Sequence, residues 1–327
     1  MSARWYVASA VVLLAASVGS IVVATAAAPV EINGAAVAAK PAVRIRAAGP
    51  QLGGCPIYPT DNAWNTSVAA APLASNSAAM IARIQAGGGR ALHPDFGANQ
   101  RYGIPYVVVP ADQSLVPIAY DAYGDESDPG PFPIPTDAPV ESGSDAHVLV
   151  LRQGMCDLFE LFGARRSGGG WVAQSGARFD LTSNALRPLG WTSADAAGLP
   201  ILPGLVRYDE VAAGHIDHAI RVTFAATRNA YLLPATHAAS NDDDPDLPAM
   251  GQRLRLRAGV DLTGLRGQAL VIATAMQRYG LIVADNGSSW YFQGGTDPRW
   301  NDDELDALTA IPGTDFDVVD SGAAHPG

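Results

Sequence analysis

The sequence predicts a mostly β protein, an antiparallel β-sandwich or jelly-roll-like domain with a few peripheral helices. Three observations carry that expectation. Short apolar runs rich in β-branched and aromatic residues recur between Gly, Pro and Asp punctuation, as strands between turns do. Two of them, HAIRVTF (218–224) and RLRLRA (253–258), alternate apolar and polar residues in the pattern of half-buried antiparallel strands. No Gly-x-Gly-x-x-Gly opens a helix and strands do not alternate regularly with helices, which disfavours a doubly wound parallel sheet.

The strand candidates, in order, are YVVVP (106–110), VPIAY (116–120), HVLVL (147–151), DLFELFGARR (157–166), WVAQSGARFDL (171–181), HAIRVTF, AYLLPA (230–235), RLRLRA and LIVADNG (281–287). Helical signals are fewer. SNSAAMIARIQA (75–86) has serines at its start and apolar residues at helical spacing. GLRGQALVIATAMQRYG (264–280) ends in basic residues followed by Gly280, a C-terminal signature. NDDELDALTAI (301–311) begins with acids suited to a helix N-terminus. The stretch 190–220 starts like a helix at TSAD but meets Pro200 and Pro203; it predicts a rigid irregular segment that either lines a site or covers a sheet.

Organisation follows from the termini and the cysteines. Arg4 precedes an apolar run that ends in small residues near Ala28, which predicts a secretory signal peptide over 1–28, or a membrane anchor if the segment is retained. Residues 29–54 are Ala/Pro-rich and read as a linker, 55–320 as a single β-rich domain, and 321–327 as a flexible tail. The expected location is therefore secreted: periplasmic or extracellular. In an oxidising compartment Cys55 and Cys156 are expected to form a disulfide, two buried thiols being the alternative, and they have no zinc-site spacing. Net charge is −11, from 21 basic and 32 acidic residues, which disfavours nucleic acid and anionic membrane surfaces as partners.

For chemistry, the absences narrow the field: there is no Gly-x-Ser-x-Gly elbow, no HExxH and no P-loop. Carboxylates are the richer signal. YGDESDPGPFPIP (123–135) sets Asp125, Glu126 and Asp128 in a proline-stiffened loop; RYDEV carries Asp209 and Glu210; ADNGSSW carries Asp285; LHPDFG carries His93 and Asp95. Glycosidic cleavage needs two carboxyl groups, a proton donor and a nucleophile or base. Glu126 or Glu210 is the expected donor and Asp285 or Asp125 the ionised partner. Trp290, His237, Tyr208, Asp95 and His93 are the expected substrate contacts, because aromatic faces beside acids suit sugars. For each acid taken singly, a turn cap or a solvated charge is the alternative. No cofactor is required on this reading; calcium is the candidate cation, through DESD and NDDDPD (241–246).

Several stretches, among them LHPDFG, YGIPYVVVP, DESDPGPFPIP, MGQRLRLRA and RYGLIVADNGSSWYF, resemble those of a set of secreted bacterial proteins of uncharacterised function, over residues 55–320. That resemblance carries no catalytic residue across. The expected function, from the residues themselves, is an extracellular glycoside hydrolase acting on polysaccharide or envelope glycan. A non-catalytic carbohydrate-binding module and a metal-dependent hydrolase using His218 and His237 are the alternatives.

Overall fold

The computed structural model describes residues 49–327; the expected signal peptide and the linker up to residue 48 lie outside the described residues. β1 (Gln51–Leu52) turns back on β2 (Cys55–Pro56), and α1 (Ser77–Ala86), β3 (His93–Pro94), β4 (Tyr106–Val109) and β5 (Ile118–Tyr120) follow. The middle of the chain is strand: β6 (Val148–Arg152), β7 (Asp157–Phe162), β8 (Arg165–Ser167), β9 (Gly170–Ala173) and β10 (Ser175–Asp180). Next come α2 (Tyr208–Ala213), β11 (Ile220–Phe224), β12 (Ala230–Tyr231), β13 (Arg253–Leu256) and α3 (Gly267–Arg278). β14 (Leu281–Asn286), β15 (Tyr291–Phe292), α4 (Asp302–Asp306), β16 (Phe316–Val318) and β17 (His325–Pro326) complete it.

Strand outweighs helix, as expected, and each strand candidate forms a strand over part of its length. Most strand pairs are antiparallel, but the sheets are mixed. β4 runs parallel to β6, β5 to β9, β11 to β14 and β15 to β3. Parallel neighbours need a crossover, and the chain supplies one between β11 and β14 through β13 and α3. Two larger sheets result, ordered β10-β7-β6-β4 and β16-β13-β14-β11-β15-β3.

The four-stranded sheet explains why HVLVL is apolar throughout. Leu149 and Leu151 of β6 belong to the larger core, whereas Val148 and Val150 point into a second core with Phe132, Phe159 and Trp171. A strand buried on both faces has no polar side to show. The helices obey simpler rules. α3 buries Ala269, Ile272, Ala273 and Met276, one stripe at helical spacing. It stops before Gly280, whose φ of 74° suits glycine and whose missing Cβ leaves room for the Leu254 carbonyl. Asn301 caps α4 by accepting from the Glu304 amide at 3.3 Å.

Cys55 and Cys156 are joined in a disulfide, with their Cα atoms 5.4 Å apart. It ties β2 to the β6–β7 turn across a separation of 101 residues, a closure worth roughly 4–5 kcal/mol. At the other end of the chain β17 pairs with β12, so residues 325–326 are docked on the fold. Among the described residues no helix is long and apolar enough to cross a membrane.

Candidate functional site

The polar residues of HAIRVTF do not face water. Arg221 keeps 3% of its side-chain area and Thr223 is buried, because β11 sits inside the six-stranded sheet. Alternation along β11 therefore marks one polar face and one apolar face, and a further layer covers the polar one. Cross-strand register builds that face outwards. Thr223 pairs with Tyr291 on β15, and Tyr291 pairs with His93 on β3. One pleat further along, Gln293 and Asp95 fall beside Arg221, since alternate residues share a face. The His93 and Tyr291 rings stack at 4.0 Å, forming the more exposed end of the row.

A β-bulge decides what stands on the other side of Arg221. The β11–β14 register shifts between Val222 and Thr223, so that Asp285, not Ala284, lies opposite Thr223. Without the extra residue, Asp285 would turn to the apolar face. The Ala284 carbonyl at the bulge accepts from the Ala197 amide at 3.0 Å. That amide belongs to the irregular segment 190–206, which crosses the sheet as a buried strap.

The strap supplies the covering charges. Asp195 takes Arg221 in a two-pronged pair, Nη2 to Oδ1 at 2.8 Å and Nε to Oδ2 at 3.2 Å. Gly198, at a φ of 71° and packed against Thr236 and the Trp191 carbonyl, lets the strap turn where a side chain would clash. Glu160 of β7 anchors the strap from beneath by accepting the Ile201 and Leu202 amides at 2.8 and 2.9 Å. His147, just before β6, lies with Nδ1 2.5 Å from Glu141 Oε2 and Nε2 3.0 Å from the Ala194 carbonyl. The Ala194 carbonyl can only accept, so Nε2 carries a proton, and Nδ1 and Glu141 share another. Burial of the ring favours the neutral form, but the hydrogen bond and charge of Glu141 outweigh that and raise its pKa. For Glu141 burial is likewise outweighed, by the His147 bond and charge, and its pKa is lowered.

Arg221 thus stands among Asp195, Asp285, Glu141 and Asp95, more carboxylates than one guanidinium and one imidazolium can balance. Burial and this crowding raise the proton affinity of Asp285, Asp95 and Asp195. Asp285 is pushed up to about 7 by burial and by Asp195, against the pull of Arg221. It still exposes 29% of its side chain, its Oδ2 is 3.9 Å from Arg221 Nη2, and its other oxygen accepts from the Asn286 amide at 2.7 Å. Asp95 is raised by burial and by Glu141, with His93 and Arg221 opposing. Burial, with Asp195, also lifts Glu160 to about 7, but Glu160 has no exposed surface and serves the strap.

Of the residues expected from sequence, Asp285, Asp95 and His93 meet on this face. The others do not. Glu126 and Asp125 end the short turn Gly124–Glu126; Glu126 accepts the Thr192 amide at 2.9 Å, and Asp125 is exposed. Asp128 binds Arg187, so the proline-stiffened loop is pinned to the segment before the strap. Glu210 and Tyr208 lie on α2, where Glu210 holds His218 at 3.0 Å and contacts the buried Arg207. His218 precedes β11 and Asp285 lies at its far end, so Glu210 and Asp285 serve opposite ends of the sheet. Trp290 is fully buried between Phe224 and Phe316 and offers no surface to a sugar. His237 binds the Ala196 carbonyl at 2.7 Å, and β12 pairs with β17, not β11; His218 and His237 are not brought across from one another. Among the described residues no three His, Cys, Asp or Glu side chains group as metal ligands do.

Sequence reasoning missed Arg221, Asp195, Glu141, His147, Tyr291 and Gln293 as members of one site. Tyr291 and Gln293 sit in the turn-rich stretch after Asp285, and the Arg in HAIRVTF was visible as a polar residue amid an apolar run. Comparison with known proteins gave no matching family model, no similar curated protein and no similar solved structure.

Proposed function

We propose that the Arg221 face is the hydrolytic site of an extracellular glycan-cleaving enzyme. Asp285 is the proton donor, Glu141 the ionised partner, and the His93–Tyr291 stack the wall against which a sugar ring lies. One observation carries the reading: a part-exposed carboxyl raised to about 7 stands 3.9 Å from Arg221, near a second carboxyl whose pKa is lowered by His147 and Arg221. Environments that push two acids apart in this way assign donor and base. The register disfavours Asp95 as partner. Asp285 and Asp95 stand three strands apart, roughly 14 Å at the backbone, beyond the carboxyl separation that glycoside hydrolysis uses. Glu141, bonded to His147 just before β6, is near enough for the charge of Arg221 to act on it. The reading also takes the two larger sheets as the layers of a sandwich, and export with cleavage of the leader as the route outside the cell.

A second reading, a glycan-binding surface without turnover, is favoured by the exposed His93–Tyr291 stack alone. One experiment separates the two: release of reducing ends from a polysaccharide panel by the wild type, Asp285→Asn and Glu126→Gln. The hydrolase reading expects product from the wild type and Glu126→Gln, and a loss of at least about a hundredfold in Asp285→Asn. Retention on an insoluble glycan with no product from any variant supports the binding surface. Full activity in Asp285→Asn overturns the assignment.

A further inference from the structure

Asn286 ends β14 directly after Asp285, and Gly287 follows it; the face built on Arg221 uses neither. Asn-Gly is the least hindered sequence for imide formation, because Gly287 has no Cβ to crowd its nitrogen. Asn286 is exposed, so water reaches its side chain. The chemistry needs no cofactor. The Gly287 nitrogen gives up its proton and attacks Asn286 Cγ, the Cγ–Nδ2 bond breaks, and Nδ2 leaves as ammonia. Water then opens the imide ring. The product is aspartate if the Gly287 nitrogen departs from Cγ, and isoaspartate if it departs from the main-chain carbonyl carbon of residue 286.

The fold opposes that attack at three points. Asn286 Oδ1 accepts from Thr227 Oγ1 at 2.8 Å, and its Nδ2 donates to the Ala239 carbonyl at 2.7 Å. The attacking atom is engaged as well: the Gly287 amide donates to the Phe224 carbonyl at 3.0 Å. These partners come from the end of β11, the turn before β12 and the loop after it. Thr227 is buried, so water does not compete for its hydroxyl. Closing the imide ring also needs rotation about the Asn286 Cα–C bond, out of the extended conformation of β14. That rotation carries the Gly287 amide away from Phe224.

We propose that Asn286–Gly287 is a deamidation site held shut by this clamp, and that it converts when the turn 225–229 or the loop around Ala239 opens. Both products carry a carboxylate in place of the amide. The Ala239 carbonyl then faces an acceptor where it had a donor, so the clamp does not re-form. Isoaspartate also lengthens the main chain at the strand end, next to Asp285. The site is thus a one-way record of local opening, and it does not rest on the hydrolase reading.

The test is peptide mapping by mass spectrometry after incubation of the full chain at pH 8, folded and in urea with the disulfide intact. Thr227→Val is incubated folded, beside the control Thr236→Val, which loses a hydroxyl bond to the Trp191 carbonyl instead; thermal melts confirm that both fold. Unfolded wild type should convert at residue 286 at least about tenfold faster than folded wild type, because three hydrogen bonds must open together. Folded Thr227→Val should convert about threefold faster than folded wild type, and Thr236→Val at the wild-type rate. No conversion in the unfolded chain overturns the site, and equal rates folded and unfolded overturn the protection. Equal acceleration by both threonine variants, or none by Thr227→Val, overturns the clamp. If Thr227→Val does not fold, Asn286→Asp tests the clamp: it should melt below wild type, and an equal melt overturns it.

Discussion

Two carboxylate-rich regions of this molecule are built from the same residue types and behave differently. In the loop 123–135 each structurally engaged acid has its own donor: Asp128 has Arg187, and Glu126 has the Thr192 amide. On the β11 face Arg221 and His147 stand among four acids, and burial with that crowding raises the proton affinity of Asp285 above all. The loop is stiff because it is pinned, and the face is the proposed site because its charges are left unbalanced. Acid density along the sequence is higher in the loop, yet the proposed site lies elsewhere.

The contrast is broken or sharpened first by stability. Arg221→Leu strands the buried Asp195 and should cost about 3–5 kcal/mol in denaturant unfolding. Asp128→Asn should cost only about 1–2 kcal/mol, because Arg187 keeps the Thr192 and Glu126 carbonyls as acceptors. Equal losses would mean that both clusters are structural pairs of one kind.

The next effect is on pH dependence. Asp285 binds its proton more tightly in the folded chain than in the unfolded one. Its contribution therefore favours folding at low pH and fades as pH rises from about 4 to about 7. Asp285→Asn should raise the melting temperature relative to wild type at pH 8 and leave it unchanged at pH 4. The Glu141–His147 pair has the opposite sign on its acid side. Glu141 is lowered, so its stabilisation is lost as pH falls through its folded pKa, while that of His147, which is raised, is lost as pH rises through its own. His147→Gln should flatten the acid limb of a melting profile.

The smallest effect expected is at the aromatic wall. Tyr291→Ala should weaken retention on glycan by about 1 kcal/mol, read by affinity electrophoresis, with little change in melting temperature because the ring is only half-buried.

Much of the scaffold was legible in the sequence. Apolar runs between turn residues placed the strands, and Gly280 and the acids of NDDELDALTAI marked helix ends. The disulfide followed from two cysteines in a chain expected to be exported. Strand direction was not legible, because parallel pairing of β11 with β14 depends on a crossover that local pattern does not encode. Alternation in HAIRVTF gave the two faces correctly but not the strap that buries the polar one, so Arg221 read as a surface residue. Asp285 was visible as a candidate; the bulge at Ala284 that turns it towards Arg221 has no signature in LIVADNG. Trp290 shows the converse error, since an aromatic beside an acid in sequence can point into the core.

The most direct measurement is a carbon-13 NMR titration of the Asp285 carboxyl, assigned through Asp285→Asn. A midpoint near 7, moving higher when the positive charge of His147 is removed by His147→Gln, is the result predicted for a donor held in an overcrowded cluster. A midpoint near 4, indifferent to that substitution, would make Asp285 an ordinary strand-end acid and contradict the site.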